Sequence, residues 1–238
     1  MTPLACLADA VPDNIDSLLI SGGSSAQGAV PLAEAMPGLL ALPEHLALNL
    51  HVGLQDSRAL LPLQKRNVTV SFDLIGDATT IREVFGLEHQ PEVYFEAYLD
   101  LCRHFRVIPH LVIGLRGGRI SGEARVLEFL RAHVPPALTL LVFRPTPGSR
   151  YADAPLVSYE EVTAFVQQAA ELPCELRLGC MRPAGRYRRE LDILCWLAGT
   201  STIVLPDRGM TQALEQAGIP IFTHHECCSI PAAAGVSA

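Results

Sequence analysis

Short apolar runs of the β type alternate with helical stretches along the whole chain, and this alternation restricts the fold more than any other feature. The runs cover 15–20, 46–52, 68–74, 107–113, 138–143, 175–179 and 202–205, and a short eighth at 219–222 is expected to close the chain. A strand followed by a helical crossover returns to the same sheet edge and pairs in parallel. The expected class is therefore α/β, a TIM-type β/α barrel of parallel strands. The runs read as nearly continuous Val, Ile and Leu, the pattern of a parallel sheet covered on both faces. In such a barrel the working site lies where the strands end.

Only about fourteen residues precede the first run, whereas a complete βαβ unit takes roughly thirty. The expectation is a partial barrel with its first βα unit missing. A length of 238 residues suits one domain, taken as 1–230 with a flexible tail at 231–238. The helical stretches at 90–105, 124–133 and 186–198 each carry one apolar face. Ser158 and Glu161 have the spacing of a capping box at the start of another helix.

No apolar run approaches the ~18 residues of a membrane span, and the first residues lack the basic flank of an export signal. A cytoplasmic protein is expected. Net charge is -7 and the basic residues are scattered outside 182–189, which argues against nucleic acid and for a small or acidic ligand or another protein. Seven cysteines without an export signal argue against a disulfide framework. Cys102 and Cys195 fall on apolar helical faces and read as core, and Cys174 reads the same way. Cys180, Cys227 and Cys228 differ, because they stand at a strand end or near the chain's end.

Five places carry chemistry, each with a plainer reading beside it. Ser21, Gly22 and Gly23 follow the first run, where glycines admit a ligand to the backbone or simply make a tight turn. Gly114 opens a four-glycine loop reaching Gly122 and Glu123; it lacks dinucleotide-loop spacing and reads as a wall of an adenosine-type pocket, with Ser121 as a helix cap. Asp73 ends the third run, suited to a ribose hydroxyl or a cation, or to capping the next loop. Arg182, in the strand-end segment 179–183, is expected to face the barrel mouth. His224, His225, Glu226, Cys227 and Cys228 form a metal or cluster patch in composition, although adjacent cysteines fit one tetrahedral zinc poorly. His51 and His110 lie on strands and read as buried, hydrogen-bonded histidines.

Taken together, segments 18–23, 70–87, 109–123, 178–183 and 226–228 resemble the radical S-adenosylmethionine (radical SAM) enzymes. Within them the likeness is to the biotin synthase and lipoyl synthase-like branch, in particular the archaeal-type biotin synthase homologues, and it covers 15–230. The resemblance implies that Ser21, Gly22 and Gly23 hold the amino group of S-adenosyl-L-methionine. It implies that Gly114, Gly122 and Glu123 belong to the segment against its adenine, and that Asp73 lies near the ribose or substrate. Arg182 corresponds to an arginine near a second cluster, and Cys180, Cys227 and Cys228 to ligands of an auxiliary Fe–S cluster. The implied substrate is a small molecule or a carrier-protein-bound acyl chain.

One departure outweighs these matches. The family binds its [4Fe–4S] cluster through Cys-x-x-x-Cys-x-x-Cys after the first strand, and this sequence has no such motif: Cys6 stands alone before Cys102. Two readings follow. The chain is a radical SAM enzyme completed by an upstream cluster loop, or a non-catalytic paralogue or subunit that binds ligand or an intact radical SAM partner. An unrelated aldolase-like barrel would need a lysine at a strand end, and Lys65 is not placed there.

Overall fold

The computed structural model describes residues 11, 12 and 14–230; the expected tail at 231–238 and Cys6 lie outside the described residues. Seven strands form one sheet in chain order: β1 (Ser17–Ile20), β2 (Ala47–His51), β3 (Val68–Asp73), β4 (Arg106–Ile113), β5 (Ala137–Val142), β6 (Glu175–Leu178) and β7 (Thr202–Ile203). Every neighbouring pair is parallel, so all the strand ends open on one rim. The sheet curls into the half-barrel of a partial TIM-type fold. The eighth run does not form a strand. Pro220 lacks the N–H that a ladder needs, and Phe222 is exposed.

The crossovers are α1 (Leu32–Leu40), a 3-10 segment (Ser57–Leu63), a short α2 (Ala78–Thr80) running into one π turn (Ile81–Phe85), then α3 (Pro91–Cys102), α4 (Glu123–Ala132), α5 (Tyr159–Ala169) and α6 (Arg186–Ala198), with α7 (Arg208–Gln216) after β7. The capping box of α5 forms as its spacing predicts: Ser158 Oγ accepts from Glu161 N–H, and the Glu161 carboxylate accepts from Ser158 N–H. Phe95 and Phe129 stack at 4.3 Å and join α3 to α4. Cys195 is core as expected, whereas Cys102 ends α3 and is exposed. Among the described residues no helix is long and apolar enough to cross a membrane.

The strands are not apolar on both faces. Side chains alternate along a strand, and here the alternation is chemical. Leu48, Leu50, Val70, Phe72, Val107, Leu111, Leu138, Leu140, Leu176 and Leu178 are buried in the core beneath the helices. The residues between them, Asn49, His51, Thr69, Ser71, Asp73, His110, Thr139 and Arg177, face the other way. The registers set them side by side: His51 beside Ser71, Asp73 beside His110, His110 beside Thr139, and Thr139 beside Arg177. This polar side is overlain by residues 226–230, and we call it the tail side.

Candidate functional site

The strand ends nearest β1 enclose a cavity of about 210 Å³, lined among others by Ser21, Gly22, His51, Asp73, Phe85 and Tyr94. The loop after β1 is held there by the loop after β2: Val30 N–H donates to Val52 O, and Leu54 N–H to Gly28 O, both at 2.9 Å. Gly53 is required at this seam, with φ +60° and Gly28 O only 2.2 Å from where a Cβ would stand. Gly22 and Gly23 are different. A Cβ at Gly22 would meet only Val30 Cγ1 at 3.4 Å, and one at Gly23 nothing within 4 Å. The fold itself does not demand these two glycines, and their backbone is exposed.

Asp73 ends β3 with its carboxyl half-buried in this cavity. Burial raises its pKa, while the nearby His51 pulls it down. Tyr94, from the first turn of α3, is raised to about 12 by burial and further by the Asp73 charge. Capping of the next turn falls to Asp77, whose carboxylate accepts from Thr80 N–H at 2.8 Å. Asp73 is thus left facing the cavity. The π turn carries Phe85 to the cavity wall, a local geometry that recurs at functional sites.

The segment expected to wall an adenosine pocket has other work. Glu123 is buried, its carboxylate accepting from Gly114 N–H at 2.8 Å and from Ser121 N–H at 2.5 Å, so it closes its own loop. Gly122 packs backbone to backbone on Gly76, and a Cβ there would stand 2.4 Å from Gly76 C. Gly114 has φ +74°. Ser121 does not cap α4; its hydroxyl bonds that of Thr80 at 3.0 Å. Gly114, Gly122 and Glu123 do not line the Ser21–Asp73 cavity.

Arg182 does not face the mouth. It is buried with both partners of its ion pair, Nε donating to Asp192 Oδ1 at 2.6 Å and Nη2 to Asp192 Oδ2 at 3.0 Å, and a further donor reaching Gly179 O. Its charge is spent fastening the end of β6 to α6.

The tail side holds a second polar centre, which the alternation of polar residues in 47–51, 68–73 and 175–178 would have revealed. Asn49 Nδ2 donates to Cys227 Sγ at 2.8 Å. Ser71 Oγ bonds Asn49 Oδ1 at 2.7 Å and Ser229 Oγ at 2.6 Å. His110 Nε2 lies 3.4 Å from Cys228 Sγ, and Arg177 donates to Cys228 O at 2.7 Å. The neighbouring Cys228, the Ser229 N–H and the Asn49 amide hold the Cys227 thiol below its usual pKa, against burial. Cys228 is raised, chiefly by the neighbouring Cys227 and by burial, and Cys180 is near enough to add to that rise. His110 is buried as expected, and desolvation lowers it to about 3. Among the described residues no three His, Cys, Asp or Glu side chains are placed to hold a metal ion, so Cys180, Cys227 and Cys228 do not form such a group.

In fold the chain is similar to a solved methylornithine synthase (PylB). The match has a TM-score of 0.54 at 13% identity and covers 79% of this chain and 62% of that one. The chain thus spans less than two thirds of that enzyme's length, and the likeness is one of fold. No family model and no curated protein matches the sequence.

Proposed function

We propose that this half-barrel binds an S-adenosylmethionine-type ligand in the manner of the radical SAM proteins. The carrying observation is the cavity at the strand ends, where the exposed Ser21–Gly22 backbone faces Asp73 and His51. Support comes from the radical SAM fold of the methylornithine synthase it resembles and from the five sequence segments described above. Backbone carbonyls at Ser21 and Gly22 suit an ammonium group, and the Asp73 carboxylate suits a hydroxyl or a cation. About 210 Å³ is below the ~300–1,000 Å³ of complete small-molecule pockets. The cavity therefore takes one end of such a ligand.

A [4Fe–4S] cluster does not fit the residues present. The sequence has no Cys-x-x-x-Cys-x-x-Cys, and the described residues place no alternative ligand set. No radical step is assigned to this chain's residues; under this reading they hold the ligand, and the cluster comes from another segment or a partner. Sulfur insertion of the biotin or lipoyl synthase type is the finer form of the proposal and rests on the segment resemblance.

Calorimetric titration of the full chain with S-adenosylmethionine tests the reading. Saturable binding is expected, weakened about tenfold or more by Asp73→Asn and by Gly22→Ala while both variants melt like the parent. Absence of saturable binding at about 1 mM ligand, or equal affinity in both variants, would overturn it.

A further inference from the structure

Residues 226–230 are fastened to the tail side at each position. Ser17 Oγ donates to Glu226 Oε2 at 2.5 Å, and the Cys227, Cys228 and Ser229 side chains meet Asn49, His110 and Ser71. Proton bookkeeping makes the two sulfurs unequal. His110 Nδ1 faces Ile108 O at 3.2 Å, and a carbonyl only accepts, so Nδ1 carries the ring proton. Nε2 is then an acceptor, and Cys228 is the thiol that donates to it. Ser71 gives its hydroxyl proton to Asn49 Oδ1, which turns the Asn49 amide N–H toward Cys227. Cys227 is therefore the sulfur that receives hydrogen bonds, the arrangement that favours a thiolate. The two Sγ atoms are 3.9 Å apart. Both cysteines are half-buried and, with Arg177 and Thr202, line a cavity of about 500 Å³.

We propose that Cys227 and Cys228 are a reactive dithiol that exchanges with small disulfides, Cys227 attacking and Cys228 resolving. The Cys227 thiolate attacks one sulfur of RS–SR: a bond from Cys227 Sγ forms, the S–S bond breaks, and RS⁻ leaves and is protonated. Cys228 then gives up its proton and attacks Cys227 Sγ, displacing the second RS⁻. Two cysteine thiols are oxidised to one disulfide, and RS–SR is reduced to two RSH.

Adjacent Cα atoms lie about 3.8 Å apart, closer than the roughly 4.4–6.8 Å usual across a disulfide. The product is strained and readily reduced, so the exchange is reversible. Closing the sulfurs to about 2.05 Å moves at least one of them off Asn49 or His110, which loosens residues 226–230 from the polar side of the sheet. None of this depends on the ligand reading above.

The test uses the full reduced chain at pH 7, without other ligand, treated with glutathione disulfide and mapped by peptide mass spectrometry over time. Among the described cysteines, Cys227 is expected to react about tenfold faster than Cys102 and Cys180, although those two are exposed and Cys227 is half-buried. The peptide holding Cys227 and Cys228 then loses the glutathionyl group and ends about 2 Da lighter than reduced, the loss of two hydrogens. In Cys228→Ser the glutathionyl group stays on Cys227. Reaction in order of exposure, Cys102 and Cys180 first, would overturn the proposal without any variant. A mixed disulfide that persists on Cys227 in the parent, or one that Cys180 resolves, would equally overturn it.

Discussion

On the helix side of the sheet, Leu48, Leu50, Val70, Phe72 and Leu140 are buried against helices. One residue along each strand, Asn49, His51, Ser71, Asp73 and His110 face a cavity and a few residues of chain laid across them. One backbone serves two purposes, because its side-chain period is two. The apolar side holds the half-barrel in shape. The polar side keeps groups that must find partners among themselves, with residues 226–230, or with a ligand. Thr139 Oγ1 and Arg177 Nε, neighbours in register, are buried there with no hydrogen-bond partner among the described residues, a sign of room for water or ligand atoms. Stability and function are thus separated by face, and substitutions on the two faces should differ in kind as well as in size.

The largest effect is expected at the polar exception on the helix side. Asp192→Ala leaves the buried Arg182 guanidinium unpaired and also strips an acceptor from Asp207 N–H. About 3–5 kcal/mol of stability should be lost by denaturant titration; a loss under 1 kcal/mol would mean that the pair is open to water. Leu50→Ala, in the middle of the apolar layer, is expected to cost about 2–5 kcal/mol while leaving the reactivity of Cys227 as it was. Changed thiol kinetics in that variant would show that the faces are coupled.

The helix side was the more legible one. Continuous apolar runs set the strand positions within about two residues, and the Ser158–Glu161 spacing set a cap. The eighth run misled because apolar content outweighed Pro220, a residue without a ladder donor. The tail side was harder, since a polar residue within a strand reads as an interruption until the strand's neighbours are known. Ser21, Gly22 and Asp73 could be found as strand-end residues and do share a cavity. Arg182 could not be told from a mouth-facing arginine, because its partner Asp192 is ten positions away on a helix and only packing brings the two together. The loop-closing contacts of Gly114, Gly122 and Glu123 likewise leave no mark on spacing.

A smaller and pH-dependent effect belongs to the polar side. His110 is lowered from 6.5 to about 3 by burial. The unfolded chain therefore binds a proton below pH 6.5 that the folded chain does not. Stability from this residue is complete above pH 6.5 and falls by about 1.4 kcal/mol per pH unit as the pH drops toward 3. His110→Gln should remove that slope, recovering about 2 kcal/mol at pH 5 relative to its own penalty at pH 8. Parallel stability curves for parent and variant between pH 8 and 5 would show that the imidazole reaches water.

The smallest effect should come from Ser71→Ala, and it is the most informative about the comparison. The hydroxyl links Asn49 to Ser229, so its loss frees one anchor of residues 226–230 and leaves the apolar layer intact. About 1 kcal/mol of global stability is expected to go. Asn49 loses the donor that orients its amide, and Cys227 should then react more slowly with small disulfides even though residues 226–230 are less tightly held. If residues 226–230 were merely packed against the sheet, loosening them would speed both of their thiols. Slower reaction at Cys227 combined with faster hydrogen exchange at Ser229 therefore separates a positioned sulfur from a merely shielded one.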